Sequence, residues 1–154
     1  MTTAKQKQKA LNMTALQKMD SQKFGGAKLV KVHGYDILID EVFRPSKLAH
    51  AFAEYRDRVI LASQQEDIES DKIDWPTYLL MLLVKHFTNV QIPDDLEGQV
   101  AAYIYLIDNG FLEPIVAQFG KDNATKVNDA LKTFSANMEA YAAEVAQKVK
   151  PEVV

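Results

Sequence analysis

Asp67, Glu69 and Asp71 stand at alternate positions in an acidic stretch, QQEDIESDKID (64–74). Alternating carboxylates of this kind begin a calcium loop, which also needs glycine at its sixth position and a bidentate glutamate at its twelfth. Counted from Asp67, those positions are Lys72 and Tyr78. The stretch therefore reads as a solvated connection. The three histidines, His33, His50 and His86, include no pair four residues apart and no H-E-x-x-H, and the chain has no cysteine. Zinc chemistry, disulfides and a thiolate nucleophile have no basis here. His50 and Glu54 lie one helical turn apart, a spacing that reads as a surface pair. His86 reads as a boundary residue at a helix end. Ser21, Ser46, Ser63, Ser70 and Ser135 lie outside any nucleophile elbow, and Gly25-Gly26 lacks the strand–turn–helix setting of a phosphate loop. No catalytic residue, cofactor-binding residue or metal ligand is assigned.

The elements that would position any site follow from composition and period. Of 154 residues, 47% are hydrophobic and 25% are charged, which are ordinary globular values for one domain with a loose terminus. Charge is uneven. Residues 1–28 carry six lysines and one aspartate, whereas the remainder carries 12 basic and 20 acidic side chains. A domain so acidic is a poor partner for a nucleic-acid backbone, which calls for clustered Lys and Arg. Aromatic residues at helical spacing without interleaved bases read as core, and one of Tyr103 and Tyr105, which point to different faces, is expected to be exposed. No signal peptide is visible, and no apolar run approaches the ~20 residues that span a bilayer.

The densest apolar run is TYLLMLLVKHF (77–87), preceded by Asp74 as N-cap with Trp75 and Pro76 in the first turn. A helix apolar on all sides and too short for a membrane is the centre of a core. Around it, the spacing predicts a short amphipathic helix over 10–20 with a narrow apolar face, resting on the core in preference to docking on a partner. A hairpin then turns at His33-Gly34, with Leu29, Val30 and Val32 before it and Tyr35, Ile37, Leu38 and Ile39 after it. A long helix follows over 45–65, with Leu48, Phe52, Tyr55, Val59 and Ile60 inward and a polar face of Lys47, His50, Glu54, Arg56, Asp57 and Arg58. Asp94 and Asp95 are expected to cap a helix over 95–109 that turns Leu96, Val100, Tyr103, Ile104 and Ile107 inward. A short helix runs over 114–119. The last helix, 123–149, carries a seam of Val127, Leu131, Phe134, Met138, Tyr141 and Val145 in steps of four and three. Its second half is the candidate protein interface, Met138, Tyr141 and Val145, together with the N-terminal segment.

The segment KLVKVHGYDILIDEVFRPSKLAHAFAEY (28–55) reads as a short hairpin, a "hydrophobic-D-x-x-F" exit and a long helix opening at Pro45-Ser46. In this pattern the chain resembles, over residues 28–120, tail assembly chaperones of long-tailed phages and prophages of Gram-positive bacteria. The lysine-rich start has no counterpart in that pattern, and no motif transfers site residues. The resemblance implies a small protein of the host cytoplasm, absent from the finished virion, sometimes made also in a longer frameshifted form. Such a protein binds the tape-measure protein and keeps it soluble until tail-tube subunits polymerise around it.

The expected architecture is mostly α (α+β), a small β-hairpin packed on a bundle of four to five helices. Its organisation is a flexible or weakly helical segment over 1–27, one helical domain over 28–150 and a tail over 151–154. The expected function is non-enzymatic and cofactor-free: a homo-oligomeric chaperone for the tape-measure protein, in contact also with the tail-tube protein, without nucleic acid or membrane. Two alternatives stand beside it: a connector or structural component retained in the virion, and a small enzyme or regulator with a dispersed site.

Overall fold

The computed structural model describes residues 10–149, with the side chains of Ser70, Tyr141, Ala142 and 144–149 outside the description. The expected start and tail, 1–9 and 150–154, lie outside the described residues. The rest is mostly α with a small antiparallel hairpin. The order is α1 (Met13–Phe24), β1 (Ala27–Val32), β2 (Tyr35–Asp40), α2 (Pro45–Ser63), a 3-10 turn (Ser70–Lys72), α3 (Trp75–Phe87), α4 (Leu96–Asp108), α5 (Leu112–Ala117) and α6 (Lys121–Val149).

The hairpin turns where the sequence places it. His33 and Gly34 both take positive φ, 49° and 84°, as a two-residue type I′ turn requires, and the strands pair from Val32 with Tyr35 back to Ala27 with Asp40. Two strands alone are marginal in water. This pair is supported on both its edge and its face. Thr88 bridges Ile39, and Asn89 exchanges hydrogen bonds with Leu38, so the chain leaving α3 covers the free edge of β2. Val32, Ile37 and Ile39 turn inward onto the core.

That core is built around α3. Tyr78, Leu79, Met81, Leu82, Leu83, Val84 and Phe87 are all buried, which takes in the full circumference of the helix. The Phe87 ring stacks on Phe43 with centroids 3.8 Å apart and planes 8° from parallel, and Phe119 meets Phe43 edge-on at 5.0 Å. Phe43 lies in the short link between β2 and α2. Asn123, buried near the start of α6, fixes that link. It accepts from the Phe43 amide at 2.9 Å and donates to the carbonyls of Glu41 and Phe119.

Several local expectations change on contact with tertiary structure. α1 buries none of its residues: Leu11, Met13, Leu16 and Met19 are exposed, so it does not rest on the core. It is held by its Asn12 cap, by the Asp20–Arg44 ion pair at 2.9 Å and by Arg44 lying over the Phe24 ring. Ile104 and Ile107 of α4 face solvent rather than the core, because the buried positions on that helix are taken by Leu96 and Gln99. Glu54 and Arg58 leave the polar face of α2 and turn inward. Asp74 occupies the cap position of α3 but accepts from the Thr77 hydroxyl instead of a backbone amide. Asp95 caps α4 as expected, through the Gly98 amide at 2.8 Å, while Asp94 pairs with Lys85. α5 begins at Leu112, with Pro114 in its first turn, where a missing N–H costs nothing. Tyr105 is the exposed member of the tyrosine pair.

Phe87→Ala removes the stacked ring from a site with no solvent exposure. We expect a loss of about 3–5 kcal/mol in urea unfolding at neutral pH, with the slope of the transition unchanged.

Candidate functional site

The densest polar constellation joins α2, α3 and α4. Glu54 projects from α2 with its side chain only 13% exposed. Its Oε2 accepts from Lys85 Nζ at 2.6 Å and from Gln99 Nε2 at 2.5 Å, and its Oε1 accepts from His86 Nε2 at 2.7 Å. Gln99, fully buried, donates also to the Pro93 carbonyl and accepts at Oε1 from the Tyr78 hydroxyl at 2.7 Å and from Arg58 Nε at 3.2 Å. Arg58 donates to the Asp94 carbonyl, and Lys85 reaches the Asp94 carboxylate at 2.8 Å. No buried side-chain polar atom among the described residues lacks a partner.

The electrostatics match this geometry. Burial alone would raise the Glu54 pKa. The hydrogen bonds from His86, Lys85 and Gln99, with the Lys85 charge, outweigh it and bring the carboxyl down to about 2. Burial alone would lower Lys85; its bonds to Asp94 and Glu54 outweigh that and leave it raised. Burial pushes the Tyr78 phenol up. A general base works best with a pKa near the working pH. Glu54 is held ionised far below that range, with both oxygens occupied, so the cluster acts as a clamp between three helices. The signal for it in the sequence is Lys85-His86 inside an otherwise apolar helix, and Gln99 on the inward line of Leu96 and Tyr103. Without a view of Glu54 turning in from α2, neither pointed to the pair.

The structure does not bring the tempting chemical residues together. His50 is exposed while its neighbour Glu54 turns to His86, and His33 is spent on the Gly110 carbonyl at 2.9 Å, with its ring edge-on to Phe111. Among the described residues no group of three His, Asp or Glu side chains forms a metal-binding set. No described helix is long and apolar enough to cross a membrane.

Apolar grooves lie open between the helices, and two of them are sizeable. The first, of about 870 Å³, runs between α2 and α6, where Leu48, Phe52 and Ile60 face Phe134 and Met138, with Arg56 as its charged residue. The first half of the α6 seam packs on the protein's own core through Val127, Leu131 and Phe134. Met138 is the half-buried residue at which α6 leaves it. The side chains of Tyr141 and Val145, further along the same helix, lie outside the described ones. The second groove, of about 770 Å³, lies between α3, α4 and α5 and is lined by Leu80, Tyr103, Leu106, Ile107 and Val116 with the acids Asp74 and Glu113.

Fold and site together define a small, mostly helical α+β domain with a fully partnered charge clamp inside and apolar grooves between helices outside. The chain belongs to the YomO family, whose model matches residues 13–153. It is 27% identical over 128 residues to the SPbeta prophage-derived uncharacterized protein YomO of Bacillus subtilis (strain 168), a match spanning 80% of this chain and 74% of that relative. No solved structure matches. The family thus includes a prophage-derived protein, and the resemblance read from residues 28–55 holds at that level.

Glu54→Gln tests the clamp. A carboxyl with a folded pKa near 2 and an ordinary value of 4.5 adds stability above pH 4.5, and that stability drains away as pH falls towards 2. We expect the variant to be less stable at pH 7 by about 3 kcal/mol, at about 1.4 kcal/mol per pKa unit. Urea titrations between pH 7 and 2 should show the gap to wild type closing below pH 4.5.

Proposed function

We propose that the chain is a phage or prophage tail assembly chaperone: a non-enzymatic protein of the host cytoplasm that binds the helical tape-measure protein and keeps it soluble. The observation that carries this reading is the open apolar groove between α2 and α6, where α6 is a helix of 29 residues whose Val127, Leu131 and Phe134 pack on the core. An amphipathic helix docks by laying its apolar face into such a groove. An elongated helical partner offers that face many times over, so several copies can coat it and gain by multivalency. Membership of a family with a prophage-derived member supports the setting. The occupied, strongly ionised Glu54 supports binding over acid–base chemistry. The interface on α6 is Met138, Tyr141 and Val145. The tail-tube protein is the second expected contact.

The test is co-expression with the tape-measure protein of the same phage, followed by affinity capture. We expect wild type to hold the long partner in solution. Ala53→Glu with Met138→Glu, both on the groove wall, should weaken capture by at least about tenfold, or 1.4 kcal/mol, without changing helical content. Mass analysis of purified virions should find the chain missing. Its presence in stoichiometric amount would replace the chaperone with a structural component of the particle.

A further inference from the structure

We propose that α1 of one copy docks in the acidic groove between α4 and α5 of a second copy, closing a two-fold dimer by exchange of N-terminal helices. This rests on charge and shape outside the α2–α6 groove and does not depend on the chaperone reading.

The two surfaces are both left open and have opposite character. α1 is a 12-residue helix that buries nothing in its own chain. An isolated helix of that length is marginal in water. Yet it presents large apolar side chains, with Met13, Leu16 and Met19 exposed by 67%, 42% and 58%. These three and Lys23 follow one another in steps of three, three and four, so they form one strip along one side of the helix. The one charged member of the strip is Lys23, and the helix holds Lys18 and Lys23 against Asp20, which is already paired with Arg44.

The second groove has the complementary pattern. It is apolar at its floor, with Ile107 43% exposed, and its charged lining residues are Asp74 and Glu113. Residues 94–113, which build α4 and lead into α5, carry five acids and no Lys, Arg or His. The groove between α2 and α6 lacks this match, since its charged lining residue is Arg56. An apolar strip ending in Lys23 thus matches the α4–α5 groove in charge and not the other one.

The helix is kept from its own groove by the way the chain is tied. Asp20 and Phe24 are both held at Arg44, beside the open end of the hairpin. The groove begins at Gly110, which the hairpin's turn touches through His33, at the opposite end of strands about 20 Å long. Reciprocal docking between two copies satisfies both open surfaces at once and closes the assembly.

Sedimentation of the full chain tests this at low and high salt, with two double variants: Leu16→Glu with Met19→Glu on α1, and Ile107→Arg with Glu113→Arg on the groove. We expect wild type to pass from monomer to dimer mass with concentration, and added salt to shift that passage to higher concentration. Each double variant should remain monomeric, with unchanged helical content and melting temperature, since the altered side chains are exposed on their helices. A one-to-one mixture of the two variants should recover dimer, because one unaltered helix then meets one unaltered groove. A monomer at every concentration would overturn the proposal. So would a dimer that survives either pair, or loss through the α1 pair alone. Both variants should still be captured by the tape-measure partner, so loss of dimer and loss of partner binding are read separately.

Discussion

A helix that is apolar on every side can exist in water only if something covers each side, and α3 imposes that condition on the rest of the chain. Seven of its residues are buried, and at about 1.5–3 kcal/mol each they form the largest block of hydrophobic stabilisation in the fold. The hairpin covers one side through Ile37 and Ile39, α2 another through Leu48 and Phe52, and α5 a third through Ile115. The Phe43–Phe87 stack joins the link after β2 to the end of α3. The hairpin persists because its inner face belongs to this core and its edge is closed by the residues that leave α3.

Covering α3 creates a difficulty at its C-terminal end, where Lys85 and His86 are drawn towards the interior. Leaving either unpaired would cost several kcal/mol. Glu54 resolves the difficulty from α2, and Gln99 completes the shell from α4. The clamp follows from the apolar demand: once α3 is enclosed, its last polar residues need partners from the helices that enclose it. A buried ion pair adds little net stability over an apolar core, but it penalises misplacement of any of the three helices. We therefore read the clamp as fixing the orientation of α4, which in turn sets which of its faces remains open.

The fold was legible where a local rule and a tertiary demand agree. His33-Gly34 has the composition of a type I′ turn, Pro45 and Pro76 suit first turns, and TYLLMLLVKHF has no polar face to leave outside. These elements lie where periodicity puts them, within a few residues. Legibility failed where a polar side chain turned against its pattern. Glu54 and Arg58 sit among charged neighbours on α2, and only the arrival of α3 and α4 tells them apart from Arg56 and Asp57. Ile104 and Ile107 satisfy a helical stripe, but Gln99 takes the inward position because Tyr78, Arg58 and Glu54 supply its hydrogen bonds. α1 has the spacing of a core helix, yet none of its residues is buried and it meets the domain at Arg44, through Asp20 and Phe24. The seam of α6 was legible in its first half, where Val127, Leu131 and Phe134 step by four and three and pack on the core.

What remains outside the core separates two kinds of work. The Glu54 carboxylate, held far below neutral pH by donors from His86, Lys85 and Gln99, is fixed in position between three helices. The open features are instead grooves, and grooves between helices take helices. The two differ in sign: the α2–α6 groove carries Arg56, and the α4–α5 groove carries Asp74 and Glu113. A chain with two grooves of opposite charge can sort its contacts by electrostatics before packing begins. Grooves of unlike charge favour unlike helices, so the two sites are distinct in what they can accept.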